Sequence, residues 1–189
     1  WAGWLDRPLL LLWTLGGRLC VACAAWLLRA GVPGWPLIPA PVRIVLGVLA
    51  LWLAWLAVVQ ARILGINFLL SVLTLVWVAD IFAYFAGRAF GLRFTRNKLA
   101  PSISPGKSWE GVWGGLAGVL CLAVAWVVAD RYFQADVASF YTRLYSAGWW
   151  FLAIAVVFMV AMSVAGDLVE SLIKRSAGVK DSSGLLPGH

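Results

Sequence analysis

The 189-residue chain is 63% hydrophobic and only 12% charged, with thirteen tryptophans and a mean hydropathy of +0.91, which excludes an ordinary soluble domain. Its formal net charge of +7 would suit nucleic acid in a polar chain. In one this apolar it reads as basic loops beside a membrane, facing anionic lipid and phosphorylated substrates, so no nucleic-acid partner is expected.

In chain order, residues 8–28 have the length of a spanning helix but carry Arg18 at their middle, where a centred Arg costs roughly 2.5–3.5 kcal/mol on insertion. Cys20 and Cys23 form a lone C-x-x-C inside this segment, with no second pair and no nearby His, and read as small packing residues. Pro33, Pro36, Pro39 and Pro41 mark residues 31–41 as a short, stiff connection. The uncharged runs 44–61, 63–79, 111–129 and 144–166 each approach the ~20 residues that cross a hydrocarbon core as a helix. On the fourth of the resulting five spans, Gly111, Gly114, Gly115 and Gly118 form small-xxx-small pairs that let another helix approach closely.

The expected fold is therefore all-α: a polytopic integral membrane helical bundle of about five transmembrane helices. Residues 1–189 form one transmembrane domain, with no separate soluble domain and no cleavable signal peptide. Arg88, Arg93, Arg96, Lys98 and Lys107 share one loop, with no acidic residue between Asp80 and Glu110. The positive-inside rule puts that loop in the cytoplasm. The Asp130 to Arg143 connection then lies opposite, and the tail with Lys174, Arg175 and Lys180 returns to the cytoplasmic side.

Candidate chemistry sits where apolar runs meet that side. Asp80, Tyr84, Gly87 and Arg88, at spacings of four, seven and eight, share one helical face. An acidic group at such depth suggests function, the alternative being a structural pair with Arg88 or with a basic residue elsewhere. Asp167, Glu170, Ser171 and Lys174, at spacings of three, four and seven, form a second stripe. Carboxylates of this kind suit Mg²⁺, which binds through one or two of them plus substrate phosphates, while Lys and Arg clamp phosphate oxygens. The alternative is a solvated helix end. The hydroxyls, prolines and Lys107 ahead of the fourth span suggest an anion site at a helix N-terminus. A P-loop is excluded there: its first glycine would fall at Pro101, and no strand precedes it.

The segment from Ser171 to His189 resembles the signature of the phosphatidate cytidylyltransferases, S-x-x-K-R-x-x-x-x-K-D followed by a small residue and L-P-x-H. Asp80 to Gly91 resembles the family's D-x-x-A-Y-x-x-G-x-x-F-G. Leu99 to Gly111 resembles its L-A-P-x-x-S-P-x-K-T-x-E-G, with Ser108 in place of the usual Thr. Gly166 to Ser171 matches its G-D-x-x-E-S. The family signature continues past the histidine with two glycines and an Asp-Arg-x-Asp segment. A fragment truncated at both ends is therefore expected, with residues 1–79 weakly characterised and residues 80–189 bearing the motifs.

What the resemblance implies is a nucleotidyltransferase of the cytoplasmic (inner) membrane, multi-pass, with its active site facing the cytoplasm. It would convert phosphatidate and CTP to CDP-diacylglycerol and pyrophosphate with Mg²⁺. Asp167 would hold the metal, joined by an aspartate beyond His189. Lys174, Arg175, Lys180, Asp181 and His189 would complete the catalytic set. Asp80, Tyr84, Arg88, Ser104, Lys107, Ser108, Glu110, Glu170 and Ser171 would serve substrate binding. Membrane lipid is the remaining partner, and a homodimer is left open. The rivals are another CTP-dependent membrane lipid enzyme, either a lipid-alcohol kinase or an archaeal-type lipid cytidylyltransferase, and an ion-coupled transporter. A transporter would carry its charges near the bilayer midplane, whereas Asp80 and Asp167 follow most of an apolar run.

Overall fold

The structure is a computed structural model that describes residues 2–95 and 97–179, with side chains from residue 11 onward. The described residues are all-α, as expected. They form α1 (Ala2–Gly34), α2 (Ala40–Leu64), α3 (Ile66–Phe90), α4 (Trp109–Tyr132), the short α5 (Phe140–Ser146) and α6 (Trp149–Ser176). Five of these, all but α5, are long and apolar enough to cross a membrane. Many large apolar side chains point outward, among them Trp52, Trp55, Trp77, Phe85 and Trp113. Lipid is the solvent that tolerates such a surface.

One compact unit comprises Trp1–Trp55 with Ala165–His189, and the other Leu56–Val164. In the first, the stiff connection is built as its prolines demand. Gly31 takes a positive φ of 65° that breaks the helical path, a 3₁₀ turn follows at Trp35–Leu37 with Pro36 inside it, and α2 opens at Ala40 with Pro41 in its first turn, where a missing N–H is harmless.

In the second unit α3 and α4 form an antiparallel hairpin whose closeness depends on the glycine stripe. A Cβ on Gly111 would meet the Ala83 carbonyl oxygen at 3.0 Å, and one on Gly115 the Ala79 carbonyl oxygen at 2.9 Å, while Gly114 and Gly118 abut Ala86 and Phe82. The stripe is therefore a packing device. Val119, Ala123 and Val127 continue the same face of α4 into a core shared with Leu75 of α3, Tyr141 of α5 and Val156 of α6. Burial pushes the Tyr141 phenol above its usual range, so it stays neutral.

The far end of the hairpin is closed by a polar network. Asp130, at the end of α4, accepts from Asn67 Nδ2 (2.8 Å) through one oxygen and from Ser139 N (3.0 Å) and Thr142 Oγ1 (2.6 Å) through the other. Asn67 also donates to the Val137 carbonyl (2.8 Å) and accepts from Trp126 Nε1 (3.0 Å). Ser139 caps α5 by accepting from Thr142 N, and Ser71 Oγ accepts from Phe140 N at 2.9 Å. The last span consequently begins later than its apolar run. Residues 144–146 belong to α5, and the chain turns at Gly148, whose φ is 131°, before α6 starts.

Candidate functional site

At the opposite end of the hairpin from Asp130, α3 runs on for ten residues past Asp80 to Phe90. Asp80 is thus nearer the middle of its helix than the uncharged run alone suggests, because Tyr84 to Phe90 continue the helix instead of leaving it. Asp80, Tyr84 and Arg88 all lie exposed, and Arg88 Nη1 donates to the Tyr84 hydroxyl at 3.0 Å. Gly87 and Gly91 turn toward α4: a Cβ on either would come within 3.5 Å of Ser108 Oγ. The Gly91 N–H returns to the Gly87 carbonyl to end the helix. Leu92 then adopts a φ of 62°, a left-handed conformation uncommon for a branched apolar residue, which swings the chain into the basic loop.

That loop is tied at several points. The Leu99 N–H donates to the Lys107 carbonyl (3.1 Å), the Lys107 N–H to the Ser104 carbonyl (3.2 Å), and the Ser104 N–H to the Ala100 carbonyl (2.8 Å). Ile103 is buried beneath it. Ser108 is the N-cap of α4, its hydroxyl accepting from Gly111 N at 3.3 Å, a role a threonine would fill equally.

Glu110, in the first turn of α4, is only 6% exposed. Its Oε1 accepts from Phe94 N (3.1 Å), Thr95 N (2.7 Å) and Thr95 Oγ1 (2.8 Å). The negative charge favoured by this helix N-terminus is therefore supplied by the protein itself. Glu110 thus sets a carboxylate in the same first turn of α4 at which the sequence suggests an anion site. Thr95 was not among the expected residues. Nothing in its local sequence distinguishes it, because its bond to Glu110 depends on how the loop folds back.

The α6 stripe forms as the spacing requires. Leu168 and Leu172 are buried, while Asp167 and Glu170 are exposed and Ser171, Lys174 and Arg175 are half-buried. Lys174 Nζ lies 3.0 Å from Glu170 Oε1, so the stripe's ammonium is drawn to Glu170. No cluster of three or more His, Cys, Asp or Glu occurs among the described residues. One or two carboxylates on an exposed helical face still fit Mg²⁺, which takes its other ligands from phosphates and water. Lys180, Asp181 and His189 lie outside the described residues, as does Arg96.

A profile of the Cytidylyltransferase family matches residues 13–189. The chain is 50% identical over 132 residues to a phosphatidate cytidylyltransferase of Haemophilus influenzae, covering 66% of this chain and 39% of that one. It is 45% identical over 149 residues to one of Pseudomonas aeruginosa, covering 78% and 49%, and 42% identical over 121 residues to one of Thermotoga maritima, covering 64% and 40%. The matched region is thus about two fifths to one half of the length of these relatives. No solved structure matches the chain.

Proposed function

The chain belongs to the cytidylyltransferase family, and on that premise we propose that it is the motif-bearing part of an enzyme that makes CDP-diacylglycerol from phosphatidate and CTP. A phosphate oxygen of phosphatidate attacks the α-phosphorus of CTP. The new P–O bond forms as the bond to the β-phosphate breaks, and pyrophosphate leaves. Such a displacement needs positioning and charge neutralisation more than covalent chemistry.

The observation that carries the reading is the α6 stripe. Asp167 and Glu170 lie exposed where a long apolar helix ends in Lys174 and Arg175, in a chain of this family. Mg²⁺, held by Asp167, would offset charge on the phosphates. Lys107, Lys174, Arg175 and Lys180 bind phosphate oxygens, and Ser104, Asp181 and His189 orient the substrates. Asp80, Tyr84, Arg88 and Ser171 serve substrate binding. The basic loop and the tail face the cytoplasm, in the inner membrane of a bacterial cell.

Product analysis tests this directly. The full-length protein in liposomes with phosphatidate should transfer label to lipid from α-labelled CTP and release γ-label as pyrophosphate. Label reaching lipid from the γ position would instead identify a CTP-dependent kinase and end the proposal.

A further inference from the structure

Resting on that reading, we infer that Glu110 is a positioning residue, a clasp that holds the basic loop between α3 and α4 where it meets CTP. The loop has reason to open. It carries Arg93, Arg96 and Lys98 with no acidic residue between Asp80 and Glu110, so these charges repel. Among its described residues the only pairing resembling a strand is the isolated bridge of Ala100 with Ser104, and it starts from the left-handed Leu92.

Three features hold it in place. Ile103 is buried at its middle, Ser108 fixes its end against Gly87 and Gly91, and Glu110 secures its beginning. The Glu110 carboxylate is turned away from the surface: Oε1 takes three donors from Phe94 and Thr95, and Oε2 is buried without a hydrogen-bond partner. It acts through the loop, whose exposed Arg93 and Lys98 act on the nucleotide, while the Lys107 ammonium is buried. CTP, with four or so negative charges at neutral pH, is the substrate that a displaced cationic loop would lose first.

The clasp makes reach matter more than charge. Gln keeps the length and a carbonyl acceptor, whereas Asp keeps the charge but is shorter by a methylene. In a ligand for metal or substrate the order would be reversed.

The test compares Glu110→Ala, Glu110→Asp and Glu110→Gln in the full-length enzyme in nanodiscs. It reads tryptic cleavage after Arg93 and Lys98 together with KM for CTP and kcat. Ala and Asp should speed loop cleavage and raise KM for CTP by about tenfold while kcat changes by less than about threefold, and Gln should bring both back to within about threefold of wild type. Thr95→Val, which loses only the hydroxyl donor, should move both readouts less and in the same direction; it carries the test if Glu110→Ala does not fold.

An Asp variant near wild type with Gln as impaired as Ala would overturn the inference. So would unchanged loop cleavage in the Ala and Asp variants, or an opened loop with unchanged KM. Should the wild-type enzyme fail to use CTP, the functional proposal and the role toward CTP fall, and the cleavage arm still decides whether Glu110 holds the loop.

Discussion

At the scale of single residues, the chemistry turns on which carboxylate serves which partner. Lys174 Nζ lies 3.0 Å from Glu170 Oε1, three residues beyond Asp167. Asp167→Asn in the full-length protein should therefore leave that pair intact. It should lower kcat by about 10²-fold and shift the Mg²⁺ titration to higher concentration, since an amide is a poor ligand for this cation. Lys174→Gln should instead act on substrate KM, with the Mg²⁺ dependence unchanged. Wild-type activity and metal dependence in Asp167→Asn would remove Asp167 from the metal site. The stripe itself was readable from spacing, because i, i+3, i+4 and i+7 share a helical face whatever the fold. Thr95 was not, since it is joined to Glu110 by a bond across the folded loop.

At the scale of elements, the α3–α4 hairpin has two differently fastened ends. One is the loop end, with Ser108 and Glu110. The other is the Asp130 network that docks α5, a feature the sequence disclosed only as scattered polar residues bounding apolar runs. Both Asp130 oxygens accept, and all their partners are donors. Asp130→Asn must turn an NH₂ group toward one of those donors, which should destabilise the protein by about 2–3 kcal/mol. The check is the midpoint of thermal inactivation in detergent. Activity per folded molecule should be retained, because the 24 residues of α4 put about 36 Å between its ends. A variant as stable as wild type would show that the network fastens nothing. The glycine stripe was anticipated as packing, and the structure adds what it packs against: the carbonyl-lined face of α3 at Ala79 and Ala83.

For the whole molecule, the hairpin makes topology testable. Residues 91–108 and residues 133–139 lie at its opposite ends, as Ser108 beside Gly87 and Asp130 beside Asn67 require. With Cys20, Cys23 and Cys121 replaced, single cysteines at Lys98 and Asp136 should label from opposite sides of the membrane, Lys98 from the cytoplasm. Labelling of both from one side would overturn the proposed orientation. The helical membrane fold was already determined by composition and uncharged runs, because lipid leaves each backbone group to find its partner within its own helix, a local condition. The family was likewise carried by contiguous motifs. What tertiary structure alone decided was the partner of each polar side chain: Glu110 to Thr95, Ser108 to the glycines of α3, Asp130 to Asn67. Those pairs are set by distances that close only when α3, α4 and the loop between them fold into the hairpin, and short range is what gives a buried hydrogen bond its strength.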